Sequence, residues 1–261
     1  MKKVAVMTGF FFAYVLIPYR RLAKKHLKLS FPEWSKQEIN TCVRKIFIHF
    51  SLAFTDLICL FYEKHPVHIL IEEQKLHDVI NSHSRLIFLT GHIGNWELLP
   101  FLIKDLRPDS ECTIIARAQS NRFLNYCLDQ VRKSQGFNML DRKKNPYQLY
   151  SSLARASHLA FLADQSLKTS RKDLVKFFGR TAPTPSALAM IAQKRKFSFI
   201  PLFCVRRDTC LYELILLDPF EAGQFPSAYD LTQHYTFIIE KIVRKFPEQW
   251  VWFHQRWREK T

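Results

Sequence analysis

The chain has no C-x-x-C pair and no short cysteine framework. Its six cysteines, at positions 42, 59, 112, 127, 204 and 210, are scattered. This excludes a disulfide-stapled scaffold and suits a reducing cytoplasmic side. Cys112 beside Thr113, Ile114 and Ile115, and Cys204 after Pro201, Leu202 and Phe203, read as core residues. No zinc site is expected, although His65, His68, His77 and His83 are close in sequence. There is no G-x-S-x-G elbow, no P-loop and no G-x-G-x-x-G fingerprint, and no internal repeat or low-complexity linker. Acidic residues are scarce: 23 Asp and Glu stand against 39 Lys and Arg, a net charge of +16. That excess favours anionic partners such as phospholipid headgroups, phosphorylated glycolipids or an acidic carrier protein. Nucleic acid is not expected, because the basic residues are dispersed and the aromatics read as core or membrane contacts.

Apolar and aromatic side chains are abundant. Hydrophobic residues make up 48% of the 261 positions and aromatics 14%, with 23 phenylalanines. The length suits one large α/β domain, or a domain with a helical appendage, with a sizeable core and apolar surface that needs cover. Residues 4–19 carry no charge and lead directly into Arg20, Arg21, Lys24 and Lys25. The run is longer than a signal-peptide core and shorter than a full span, and its basic flank would stay cytoplasmic. It reads as a membrane anchor or interfacial helix over residues 1–25, followed by a catalytic-type domain over 26–261.

Ser35 and Glu38 form a capping-box signature that opens a helix with apolar residues at 39, 43, 46, 47, 50, 54, 57, 58 and 61. Strands are predicted over 67–71, 85–90, 112–116 and 158–163, and paired strands over 199–205 and 211–217. Helices are predicted over 75–80, 121–134 with Gly136 closing, 146–156 and 229–245. Another should start at Thr184 as cap, with Pro185 at its first position. Pro100 delays the helix after residue 95, which is expected to begin only there. Alternating strands and helices predict a mixed, largely parallel central sheet flanked by helices, with the membrane-associated helix at the N-terminal end.

Within this frame Leu86 to Leu89 is a continuous apolar run that ends in Gly91, His92 and Gly94, with Glu97 close behind. A buried parallel strand with a histidine at its carboxyl end is where open α/β sheets place reactive groups. The spacing alone says little. With ten histidines in the chain, roughly one His-X4-acid match arises by chance; here there are His92/Glu97, His68/Glu73 and His254/Glu259. On a regular helix residues five apart diverge by about 140°, so such a pair meets only at a strand-to-loop-to-helix corner. Only His92 has that setting. It is expected to act as a base, with Glu97 orienting its imidazole. Gly94 and Asn95 lie in the same corner, and Arg132 at the end of the predicted 121–134 helix can join it. Arg117 and Asn121, and Asp164 with Gln165, follow other predicted strands and are expected to converge on the same place.

Six ordered blocks carry a resemblance across nearly the whole chain: FPEWS from Phe31, GHIGNWE from Gly91, the stretch with Arg117 and Asn121, LADQ ending at Gln165, VKFFGRTAPTPSALAMIA from Val175, and PEQWVWFHQRW from Pro247. In these the chain resembles the bacterial lipid A biosynthesis (late) acyltransferases of the lysophospholipid acyltransferase superfamily. The resemblance implies a glycerolipid acyltransferase-like fold and an acyl-carrier-protein thioester as donor, with no metal and no other cofactor. It implies a lipid A precursor as acceptor and an inner-membrane location, among phospholipids, with the catalytic domain on the cytoplasmic side. His92 and Glu97 would be its His-X4-Glu dyad, and Arg132 and Asp164, with Arg117 and Gln165 as weaker members, its substrate-binding or oxyanion-stabilising groups. For the acyl transfer so implied, backbone N–H groups near Gly94 and Asn95, or Arg132, are the candidate donors to the developing oxyanion. A glycerophospholipid or another glycolipid is the alternative acceptor.

Overall fold

The computed structural model describes residues 7, 16–61, 67–106, 112–116, 138–141, 158–166 and 173–257. Helix α1 (Ile17–Ser30) has Pro18 in its first turn and buries Ala23, His26, Leu27 and Ser30. Most of the uncharged run before it lies outside the described residues, and among the described residues no helix is long and apolar enough to cross a membrane.

The capping box forms as expected at the head of α2 (Lys36–Phe61). The Ser35 N–H donates to Glu38 Oε2 at 2.7 Å, and the Glu38 N–H donates to Ser35 Oγ at 3.2 Å. Ile39, Val43, Ile46, Phe47 and Leu57 of the predicted stripe are buried, but Phe54 faces outward and Ala53 is buried instead. There the Ala53 carbonyl of α2 accepts from the Asn95 side-chain amide at 3.2 Å.

β1 (His68–Leu70) and α3 (Glu73–Asn81) precede β2 (Leu86–Thr90), whose five residues are all buried. A 3-10 turn, Trp96–Leu98, then leads into α4 (Leu99–Leu106), so Pro100 falls in the first turn, where its missing N–H costs nothing. β3 (Cys112–Ala116), β4 (Asn138–Asp141) and β5 (His158–Leu162) follow. β6 (Asp173–Phe177) and β7 (Arg180–Thr184) form a separate antiparallel hairpin, turned by Phe178 and Gly179 at φ of 52° and 69°. This corrects the helix start expected at Thr184: that residue ends β7, and α5 (Ala187–Arg195) begins three residues later. The remaining elements are β8 (Ser198–Asp208), β9 (Leu211–Leu216), β10 (Phe220–Glu221), a 3-10 turn, Ala222–Gln224, α6 (Ala228–Lys245) and a further 3-10 turn, Pro247–Gln249. Ser227 caps α6 by accepting the Asp230 N–H.

The main sheet runs β1-β9-β8-β2-β5-β3-β4, with β10 beside β8. Its pairings are parallel except where β8 meets β9 and β10. The expected mixed, largely parallel sheet is therefore present, and β2 lies at its centre. Side chains alternate across the sheet. Ile87 and Leu89 join Phe199, Phe203, Tyr235 and Ile239 on one face; Leu86 and Phe88 join Leu76, Ile80, Ile103 and Leu202 on the other. Each fully buried side chain of this kind contributes roughly 1.5–3 kcal/mol over leaving it in water. That double cover is why the β2 sequence is apolar without interruption. Cys42, Cys112 and Cys204 are buried thiols, the first two pushed up to about 12 by burial.

Candidate active site

β2 and β5 are parallel, with Thr90 opposite Leu162, and the Ala163 N–H extends the ladder by donating to the Thr90 carbonyl at 3.0 Å. Two residues past each strand, His92 and Asp164 therefore lie side by side. His92 Nδ1 is 2.7 Å from Asp164 Oδ1. The His92 backbone N–H donates to Oδ2 at 2.8 Å, and the Trp250 indole N–H donates to the same oxygen at 2.7 Å. The C-terminal tail brings Trp250 here by bridging to the loop that carries His92, where the Val251 N–H donates to the His92 carbonyl at 3.2 Å.

The Asp164 side chain is 1% exposed and that of His92 19%. Burial on its own raises a carboxyl pKa. Here the adjoining imidazole and the three N–H donors outweigh it and hold Asp164 well below its ordinary 3.8. An ionised carboxylate only accepts, so Nδ1 carries the ring hydrogen and Nε2 presents a lone pair. The geometry suits a base: the Nε2 lone pair can accept a proton from a hydroxyl held against it, and Asp164 would stabilise the imidazolium that results.

Two sequence expectations are corrected by this arrangement. The orienting bond at Nδ1 comes from Asp164 and not from Glu97, because strand register sets the first pair and a tight 3-10 turn carries Glu97 onward. Glu97 Oε1 instead accepts the Trp96 indole N–H at 3.1 Å. The Trp96 ring in turn packs edge-on against His92, with centroids 5.0 Å apart. Asp164 was expected to bind substrate or support the oxyanion, but it is buried behind His92 and has no hydrogen to donate.

The expected oxyanion donors at Gly94 and Asn95 are also corrected. The Gly94 N–H donates to the Gln249 carbonyl at 3.0 Å, and the Asn95 N–H to the Cys204 carbonyl at 2.8 Å. Gly94 has φ +64°, and a Cβ there would stand 1.9 Å from the Cys204 oxygen, so only glycine permits this approach. The Asn95 amide is buried too, and donates to the Ala53 carbonyl and the Tyr212 hydroxyl, each at 3.2 Å. Gln165 is half-buried beside Asp164. Arg117, Asn121 and Arg132 lie outside the described residues.

His49 and His254 flank the site, both neutral. Burial lowers His49 to about 3 and His254 to about 4. His68, the second of the three His-X4-acid histidines, is exposed on β1 at the sheet edge. Among the described residues no group of three or more His, Cys, Asp or Glu could hold a metal ion. A narrow apolar slot of about 30 Å³ opens beside the loop, lined by Phe88, Thr90, Trp96, Glu97, Ile103 and Leu202 among others. A larger groove of about 490 Å³, bordered by Trp34, Glu38, Thr41, Lys45 and Glu248, contains none of the expected site residues.

Sequence reasoning assigned no role to Trp250 or Gln249. The only signal for either was the tail block itself, which says nothing of where the tail docks. No curated protein matches the sequence. Among solved structures, the 1-acyl-sn-glycerophosphate (LPA) acyltransferase PlsC from Thermotoga maritima is similar, with a TM-score of 0.43 and 13% identity, covering 99% of this chain and 100% of that one. The sequence matches the family of bacterial lipid A biosynthesis acyltransferases over residues 1–259. With a match of that extent, running through the strand end that carries His92 and the tail that carries Trp250, the chain belongs to the bacterial lipid A biosynthesis acyltransferase family and is an acyltransferase.

Proposed function

We propose that the protein transfers a fatty acyl chain from an acyl-carrier-protein thioester to a hydroxyl of a lipid A precursor, as a late acylation step. The observation that carries the chemistry is His92, with Nδ1 anchored on a buried carboxylate and its ring part-exposed at the carboxyl end of the central strand. Nε2 removes the hydroxyl proton as the oxygen attacks the thioester carbonyl. The tetrahedral intermediate collapses, the carrier's phosphopantetheine thiolate leaves, and the imidazolium returns the proton to that sulfur. The products are an ester and a free thiol, so the reaction needs no redox partner.

Oxyanion stabilisation is assigned to Arg132, with Arg117 and Gln165 toward the substrates; this rests on the family resemblance. Glu97 serves the base indirectly, by holding the Trp96 ring that packs on His92. The family membership supports the lipid A acceptor, and the net charge of +16 suits both a phosphorylated acceptor and an acidic carrier. We place the protein at the inner membrane with the catalytic domain on the cytoplasmic side and residues 1–25 as its anchor. Exposed Ile17 and Tyr19, next to exposed Arg21, Lys25 and Lys28 on α1, support contact with an anionic bilayer surface.

The test offers purified protein an acyl-carrier-protein thioester with lipid A precursor, lysophospholipid and glycerol phosphate side by side. Transfer to the lipid A precursor is expected, and His92→Ala should lower it by at least ~100-fold. Undiminished transfer by His92→Ala overturns the mechanism, and transfer to lysophospholipid alone overturns the acceptor.

A further inference from the structure

Behind the catalytic loop lies a buried charged cluster that the chemistry above does not use. Asp56 on α2 pairs with Arg206 on β8, Nη2 to Oδ2 at 2.7 Å. The Tyr212 hydroxyl on β9 donates to the same carboxylate oxygen at 2.8 Å and accepts from Arg206 Nη2. It also accepts from Asn95 Nδ2 at 3.2 Å. Asp56 is 3% exposed, Tyr212 0% and Asn95 4%.

The cluster reaches the catalytic loop by two routes. Through Asn95 it meets the loop three residues past His92. Through Arg206 it meets Gln249, whose side chain clasps the Arg206 backbone: its Oε1 accepts the Arg206 N–H at 2.8 Å, and its Nε2 donates to the Arg206 carbonyl at 2.9 Å. The Gln249 carbonyl receives the Gly94 N–H, and the next residue, Trp250, donates to Asp164. One face of α2 holds the loop at three levels: His49 Nε2–H donates to the Gly94 carbonyl at 3.1 Å, Ala53 accepts from Asn95, and Asp56 anchors Tyr212. Positions 49, 53 and 56 are spaced by four and three, so they share that face.

An ion pair sunk in a core is a poor way to gain stability. Desolvating both charges costs about what their attraction returns, and apolar residues of equal volume serve as well or better. What such a cluster supplies is direction, since each donor and acceptor has one geometry that satisfies the rest. We propose that Tyr212, with Asp56, Arg206 and Asn95, is a positioning group for the reaction: it fixes the 92–96 loop so that His92 Nε2 faces the substrate hydroxyl. Tyr212 touches neither substrate nor imidazole and acts through Asn95. The proposal rests on His92 being the base in acyl transfer.

The test compares full-length wild type, Tyr212→Phe, Asp56→Asn and a control, Tyr235→Phe. The control removes another buried hydroxyl, one that donates to the Pro185 carbonyl on the far side of the sheet from α3 and α4. Acyl transfer gives kcat and KM, melting gives stability, and mass spectrometry follows carbethoxylation of His92 by diethyl pyrocarbonate across pH. Tyr212→Phe is expected to lower kcat about tenfold with KM within about twofold, the size of one misplaced hydrogen-bonded contact in the transition state. His92 should then react faster with the reagent, and Asp56→Asn, which keeps an acceptor for Tyr212, should move both readouts in the same direction. Tyr235→Phe should lower the melting temperature and leave kcat and His92 reactivity as in wild type. An unchanged kcat in Tyr212→Phe, a rise in KM alone, or equal losses in Tyr212→Phe and Tyr235→Phe overturns the proposal. If wild type transfers no acyl group, the proposed function fails, and His92 reactivity in Tyr212→Phe against wild type still decides whether the cluster orients the imidazole.

Discussion

Asp164 Oδ1 stands 2.7 Å from His92 Nδ1 although 72 residues separate them, because parallel register carries both two residues beyond the paired ends of β2 and β5. The carboxylate that meets the His92 imidazole thus comes from the neighbouring strand, while the carboxylate nearest in sequence, Glu97, turns to an indole.

The two acids should therefore separate kinetically. Asp164→Asn replaces an acceptor with a side chain that also donates, favouring the wrong imidazole tautomer, and should lower kcat by at least about 100-fold. Glu97→Gln keeps an acceptor for the Trp96 indole and should cost about tenfold or less. Steady-state kinetics on both proteins checks the order; a larger loss in Glu97→Gln would return the orienting role to that residue.

Trp250→Phe keeps an aromatic ring against Phe177 and Trp252 while removing the one side-chain donor to Asp164 other than His92 itself among the described residues. A buried charge loses a hydrogen bond, at about 1–3 kcal/mol. The expected outcome is a melting temperature several degrees lower and a reduced kcat, read by calorimetry and by turnover at saturating substrates.

Acid should destabilise the protein from near neutrality. His49 and His254 ordinarily titrate at 6.5 but are lowered to about 3 and about 4 in the fold, chiefly by burial. Below pH 6.5 the unfolded chain takes up protons that the folded chain refuses, so stability falls from there toward pH 4. Asp164, held below its ordinary 3.8, adds stability that is fully present above that value and is lost as pH falls further. Melting temperatures from pH 7.5 to 4.5 should fall in wild type and fall less in His49→Gln, whose amide keeps a donor for the Gly94 carbonyl. Parallel curves would remove His49 from this account.

Gly94→Ala should be the most damaging small change in the loop. A Cβ would stand 1.9 Å from the Cys204 carbonyl oxygen at a φ that L residues avoid. A loss exceeding about 2 kcal/mol is expected, with activity lost alongside. Denaturant unfolding measures it. An alanine variant of wild-type stability would mean that β8 can retreat from the loop.

Local chemistry was readable wherever the chain answers to its own neighbours. Ser35 and Glu38 form the capping box they spell, the run from Leu86 to Leu89 is the doubly covered strand that its apolarity requires, and Pro100 admits only a helix that starts beside it. The β6–β7 hairpin was not readable, since Pro183 and a basic approach look like loop, and a two-stranded edge tolerates both. His92 at a strand end also came from sequence alone, by the same logic of an apolar run halted by glycines.

Its partners did not. Which carboxylate meets Nδ1 depends on β5 lying next to β2, and which N–H groups remain for an oxyanion depends on Gln249 and Cys204 having already claimed those of Gly94 and Asn95. Sequence determines what each residue can donate, accept or bury within a few positions of itself. Strand order and the docking of the C-terminal tail decided who meets whom, because hydrogen bonds are short and the residues that make them here lie 72 and 86 positions apart.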